Sequence, residues 1–243
     1  MINIPLEYQV NRKIAIKTIL SEVLKPEDKK ILKNSLKAIQ LTCQISGESI
    51  PSYIDELYRC EVIMFFDVEI ANIRQAESVS TILHQLIKPF CVIHCYDNNQ
   101  ESFSFAVKRI NLKESCQIVL EQRVITSPDT INSYNQHESL FEKALDFENL
   151  VNRVNKIELY IEAMTKAFIA THPALFLRIT NFINSSVWYN SKEVLELLKK
   201  FELLKSLNQQ KKKALLVKDK VLMNSQIKSV LGELELKLEQ LIR

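Results

Sequence analysis

The run Glu61-Val62-Ile63-Met64-Phe65-Phe66-Asp67-Val68-Glu69-Ile70 is the strongest strand signal in the chain, dense in β-branched and aromatic residues. Beyond it, Ala76 to Ile87 has helical spacing and is stopped by Lys88-Pro89. Phe90-Cys91-Val92-Ile93-His94-Cys95-Tyr96 reads as the next strand. Asp97-Asn98-Asn99 supplies a turn, because Asn and Asp tolerate left-handed backbone. Phe103 to Lys108 is the returning arm, and Cys116 to Val124 a further strand leading to Ser127-Pro128-Asp129. Upstream, Ala38 to Ile45 alternates like a strand. Before it, a helix opens at Pro26, whose missing N–H suits a first turn, and Glu27 and Asp28 sit near the positive end of its dipole. That helix is expected to reach about Gln40. Arg12 to Leu24 also carries a helical pattern, after an extended lead-in over residues 1–12.

Past Pro128 the character changes. Residues 140–170 show apolar positions every three or four residues, and His172-Pro173 interrupts the run. A further helical stretch carries Phe176, Ile179, Phe182 and Ile183. Near the C-terminus, Val194, Leu198, Phe201 and Leu204 form one seam. Ile227, Leu231, Leu234, Leu238 and Leu241 form a second, at heptad spacing. The expected class is therefore α+β: a small mixed sheet flanked by helices, then a helical region and a C-terminal antiparallel helical hairpin. The expected divisions are residues 1–130, 131–190 and 191–243. One long helix in an intermolecular coiled coil competes with the hairpin.

Composition removes several activities. Only 2 of 243 residues are Gly. Gly-rich phosphate loops need several glycines close together, so a Walker-type ATPase and a Rossmann dinucleotide site are excluded. There is no Gly-x-Ser-x-Gly elbow. Net charge is +3, too small a total to demand a polyanionic partner. No apolar run is long enough to span a membrane, and Met1-Ile2-Asn3-Ile4-Pro5 does not look like a signal peptide. The 5 cysteines are an odd number and read as reduced thiols of a cytoplasmic protein.

Three groups of residues carry candidate chemistry. In Cys91-Val92-Ile93-His94-Cys95, strand alternation puts Cys91, Ile93 and Cys95 on one side and His94 on the other. The imidazole cannot join the thiols, so no metal site is expected there and the cysteines are expected in the core. Asp67 and Glu69 share a strand face. With Lys108 on a neighbouring strand they make a candidate metal-dependent catalytic set, because nucleases place carboxylates and a lysine at adjacent strand ends. Against it, Phe103 to Lys108 carries no acid, and the plainer expectation is a strand edge where Lys108 and Arg109 pair those acids. The third group is Lys199, Lys200, Lys205, Lys211, Lys212, Lys213, Lys218 and Lys220. Eight lysines against Glu202 and Asp219 give a local +6, leaving the rest of the chain at −3. Such a tip suits phosphate contacts, although no aromatics interleave for base stacking; the plainer expectation is a solvated helical face. Of the histidines, His84 and His172 read as surface or capping groups.

Taken in order, these segments resemble domain-of-unknown-function family 4391, a bacterial family. The resemblance rests on Ile4-Pro5 with Val10-Asn11-Arg12-Lys13-Ile14. It continues through the strand Glu61–Ile70, then Leu86-Ile87-Lys88-Pro89-Phe90, then Ala106-Val107-Lys108-Arg109, where Val107 replaces an aromatic. It ends in Val221-Leu222-Met223-Asn224 and the Leu-rich helix after it. The resemblance implies a role beside helicases and DNA methyltransferases, and it brings no catalytic residues with it. The leading expectation is an accessory, non-catalytic subunit of a bacterial DNA-processing or anti-phage assembly. It would dock through Ile227, Leu231, Leu234, Leu238 and Leu241, onto a helicase, a methyltransferase or a second copy of itself, with no cofactor. The alternatives are a metal-dependent nuclease using Asp67 and Glu69, and a DNA-binding module using the Lys199–Lys220 region.

Overall fold

The computed structural model describes residues 3–21, 24–112, 118–131 and 139–242. It forms two compact units, residues 1–167 and 168–243. The division after Ala167 falls within a helix.

The first unit is built on a seven-stranded mixed sheet in the order β1-β2-β5-β6-β7-β8, with β9 also pairing β7. The strands are β1 (Gln9–Lys13), β2 (Leu36–Ile45), β5 (Ile63–Ile70), β6 (Phe90–Tyr96), β7 (Gln100–Ile110), β8 (Ile118–Ile125) and β9 (Asp129–Thr130). A separate two-stranded ribbon pairs β3 (Tyr53–Ile54) with β4 (Arg59–Cys60). Only β5 and β6 run parallel; the other pairs are antiparallel. The parallel pair requires a crossover, and α3 (Ala76–Leu86) supplies it. Asn72 caps the 3-10 turn that leads into α3, accepting from the Arg74 N–H.

Alternation along each strand sorts side chains to two faces. On one face Phe66, Val68, Ile70, Cys91, Ile93 and Cys95 pack with Val79, Ile82 and Leu83 of α3 and Leu32 of α2 (Pro26–Ser35). On the other, Ile45, Ile63, Phe65 and Val92 gather with Leu159 and Tyr160 of α5 (Lys156–Thr171). The Tyr160 hydroxyl donates to the Cys91 carbonyl at 2.7 Å and accepts from the Ala106 N–H at 2.8 Å. It thereby bridges β6 and β7 one residue beyond their last direct pair, Val92 with Phe105. The remaining helices of this unit are α1 (Ile16–Ser21) and α4 (Leu140–Leu145).

Two buried lysines fasten loops to α5. Lys156 Nζ donates to the carbonyls of Gly47 (2.8 Å) and Ile50 (2.6 Å). Gly47 has φ +81°, a left-handed turn that a side chain would strain. Lys166 pairs with Glu162 one helical turn away at 2.6 Å, and Glu162 also accepts from the N–H groups of Val151 and Asn152. A buried ion pair is tolerated because its remaining hydrogen-bonding capacity is used in this way.

The second unit is helical. After 3-10 turns at Ile179–Asn184 and Ser186–Tyr189 come α6 (Ser191–Lys213) and α7 (Val217–Ile242). Asn190 caps α6, accepting from the Glu193 N–H and donating to the Glu193 carboxylate, a reciprocal cap of the capping-box kind. The two helices pack antiparallel, tied by Lys200–Glu233 at 2.8 Å and by Lys237–Glu193. The hairpin expectation holds over the coiled-coil alternative: the two seams face each other inside one chain. Trp188 is buried and donates its indole N–H to the Ile183 carbonyl.

Candidate functional site

The polar centre of the first unit forms where β5, β6 and β7 run side by side. Asp67 lies opposite His94, and His94 opposite Phe103. Glu101 stands two residues before Phe103, on the same face. The His94 ring is therefore held at both nitrogens, with Nδ1 2.9 Å from Asp67 Oδ1 and Nε2 2.9 Å from Glu101 Oε2. Phe103 stacks on it at 4.5 Å and Tyr96 at 5.4 Å between ring centres. Burial opposes the charge on His94, but hydrogen bonds and attraction from the two carboxylates outweigh it and raise its pKa above the ordinary value. The side chains are 27% exposed for Asp67, 13% for His94 and 2% for Glu101. Glu101 Oε1 has no hydrogen-bond partner.

This arrangement holds a proton between two carboxylates. Among the described residues no group of three or more His, Cys, Asp or Glu side chains is placed to hold a metal ion. Glu69 is drawn away from Asp67 toward Lys37, 3.7 Å distant.

Lys108, expected beside these acids, is on the opposite face of the sheet. Its Nζ donates to the carbonyls of Ile87 (2.6 Å) and Pro89 (2.7 Å) and to Cys91 Sγ (3.2 Å). The candidate set Asp67, Glu69 and Lys108 is thus not brought together, and neither Lys108 nor Arg109 pairs those acids. Burial lowers the Lys108 pKa, since no carboxylate compensates its charge. His84 corrects another expectation. It is fully buried, 3.1 Å from Ser104 Oγ and 3.4 Å from Cys91 Sγ, because α3 turns that face onto the sheet. Burial holds its pKa well below the ordinary value. His172 does cap: its Nδ1 lies 2.9 Å from the Phe168 carbonyl in the last turns of α5. Cys43, Cys60, Cys91 and Cys95 are buried free thiols, as expected; Cys116 lies outside the described residues.

In the second unit the heptad seam is the hairpin's own interior. Leu234 and Leu238 are fully buried, while Ile227, Leu231 and Leu241 are half-buried. The seam expected to dock a partner is consumed by packing on α6, whose Val194, Leu197, Leu198, Phe201 and Leu204 are buried. The eight lysines do not share one face. Lys211, Lys212 and Lys213 alone sweep about 200° around α6 at about 100° per residue. Lys200 is paired with Glu233, and Lys205 Nζ lies 5.6 Å from the centre of the Phe168 ring. Lys199, Lys212, Lys213, Lys218 and Lys220 are exposed.

The sequence reading passed over the turn between the helices and the first two turns of α7. Leu215, Leu216, Val217, Val221 and Leu222 are 61–94% exposed there. The signal was present: five large apolar residues stand within eight positions, where a turn is ordinarily polar. Around them stand Lys211, Lys212, Lys213, Lys218 and Lys220, with Asp219 the one acid in that segment, a local +4.

Among the described residues no helix is long and apolar enough to cross a membrane. No curated protein and no solved structure matches the chain. One family model, described as Domain of unknown function (DUF4391), matches residues 2–234. That match takes in the whole sheet, the helical segment after it and all but the last turns of α7, so the chain belongs to the DUF4391 family.

Proposed function

We propose that this protein is an accessory, non-catalytic subunit that docks onto a protein partner through the tip of its C-terminal hairpin. The observation that carries the reading is the exposed apolar group Leu215, Leu216, Val217, Val221 and Leu222, flanked in sequence by Lys211, Lys212, Lys213, Lys218 and Lys220. Clustered exposed apolar side chains with a charged rim are the mark of an interaction surface. The partner's chemistry follows from complementarity: an apolar groove edged by Asp and Glu. Our reading of the family resemblance takes that partner to be a helicase or DNA methyltransferase of a bacterial DNA-processing or anti-phage assembly. The nuclease reading draws less support, since Lys108 faces away from Asp67. DNA binding also draws less, since the lysines are spread around α6.

The test is affinity purification of the tagged chain from its own cells, wild type beside Leu215→Glu/Leu222→Glu. The expected result is a stoichiometric partner that survives moderate salt and is lost in the variant. Trp188 fluorescence checks that the variant remains folded. A partner retained by the variant, or nucleic acid alone released by salt, would remove the docking reading.

A further inference from the structure

A second feature, far from the hairpin in sequence and independent of the docking reading, lies in the first unit. A cleft of about 350 Å³ opens beside the starts of β5 and β6 and the end of β7. Small-molecule clefts run from about 300 to 1,000 Å³. Among the described residues its polar lining is Arg59, Lys88, Lys108, Arg109 and Glu61, four cations against one carboxylate. Glu61 is taken by Arg59, at 2.6 Å from Nε. Among the described residues Lys88 and Arg109 are paired with no carboxylate. Lys108 forms part of the wall with its charge buried, and its three donors are spent on two carbonyls and a thiol. A buried cation without a counter-charge is costly, and an anion in the cleft would supply what the protein does not. The rest of the wall is apolar: Val62, Pro89, Phe90, Ile110 and Ile118.

We propose that this cleft binds a small phosphomonoester with an apolar or aromatic body, of the size and chemistry of a nucleoside monophosphate. An excess of three positive charges suits a dianion better than a single carboxylate. The Arg109 guanidinium offers the paired donors that phosphate oxygens accept. Lys88 adds a second contact, and Lys108 contributes field without a hydrogen bond. The body of the ligand lies against Val62, Ile110 and Ile118.

The test is calorimetric titration of the full chain with AMP, adenosine and inorganic phosphate at equal ionic strength. The expected result is saturable AMP binding, weaker binding of inorganic phosphate and none of adenosine. Lys88→Gln/Arg109→Gln lowers AMP affinity by about tenfold or more, the loss of two charge-assisted contacts at a partly exposed site. Glu61→Gln, which removes the cleft's carboxylate among the described residues, tightens it. Both variants alter surface side chains, and their thermal melts confirm folding. Inorganic phosphate binding as tightly as AMP would overturn the apolar body. No saturable binding of either anion, or binding indifferent to Lys88→Gln/Arg109→Gln, would overturn the site.

Discussion

Replacing His94 with Phe keeps an aromatic ring between Phe103 and Tyr96 and removes both nitrogens that hold Asp67 and Glu101. The two acids are not equally affected. Asp67 is 27% exposed and recovers water, so its share of the loss is small. Glu101 is 2% exposed, and its Oε1 already lacks a partner. After the substitution neither oxygen has one. Stranding one member of a buried pair costs about 3–5 kcal/mol, and that figure is expected for His94→Phe at pH 7.5. Removing the stranded acid as well, in His94→Phe/Glu101→Leu, should return the loss to about 1 kcal/mol, because deleting both partners leaves nothing unsatisfied. The double variant is then about 3 kcal/mol more stable than the single. Urea unfolding followed by far-UV circular dichroism gives the totals. Hydrogen exchange of peptides over residues 90–96 and 100–110 localises them. Trp188 fluorescence serves as the control, since Trp188 belongs to the other unit. A single variant costing under about 1 kcal/mol, or a double variant no more stable than the single, would refute this account of the cluster.

The histidines also set a pH profile for the first unit. His94 titrates above its ordinary value of about 6.5, so the folded state holds the extra proton there. Its contribution is complete below about pH 6.5 and is lost as pH rises through the folded-state value. His84 is the reverse: neutral when folded, it withdraws stability as pH falls below about 6.5, where the unfolded chain takes up a proton. The histidine contribution therefore peaks near pH 6.5, and thermal melts from pH 5 to 9 should show His94→Phe flattening the alkaline limb and leaving the acid limb. Lys108→Met strands the carbonyls of Ile87 and Pro89 and should cost about 1–3 kcal/mol in urea unfolding; a neutral result would mean those bonds contribute nothing. In the hairpin, Leu238→Ala should cost about 2–5 kcal/mol, whereas Leu222→Ala should stay within about 0.5 kcal/mol. Trp188 fluorescence in urea separates the two, and equal losses would contradict the burial pattern.

The sheet was legible where burial leaves a pattern. Phe90–Tyr96 is read and found with the same ends, a run apolar but for His94 and bounded by Pro89 and Asp97. The strong run at Glu61–Ile70 becomes β5 from Ile63, and Ala76–Ile87 becomes α3 one residue shorter. Gln9–Lys13 shows no such pattern. All five residues are exposed, and backbone bonds to β2 alone make them an edge strand, so the helix expected from Arg12 starts only at Ile16. The helix expected to reach Gln40 stops at Ser35, where the β-region residue Leu36 opens β2. Around Phe176 to Ile183 the apolar spacing suits a 3-10 turn as well as an α-helix, and the 3-10 form is found at Ile179–Asn184. At the candidate site, alternation separates His94 from Cys91 and Cys95, but it is silent on which strands lie side by side. The partner acid Glu101 was passed over because β7 begins at Gln100, three residues before the apolar run that signals it. The hairpin seam was legible as a seam, and periodicity cannot say whether the surface it meets belongs to the same chain.

The lysine that fastens the Gly47–Ile50 turn sits 106 residues downstream of the Ile50 carbonyl it binds. At about 5–20 residues per second of synthesis, roughly 5–20 s pass between the emergence of that turn and the arrival of its clamp. During that interval the sheet face carrying Ile45, Ile63, Phe65 and Val92 has no α5 to cover it. Translation halted before residue 156 would therefore leave nascent chains with an open apolar sheet, a natural client for holdase chaperones. Chains extended through Thr171 should be released from them.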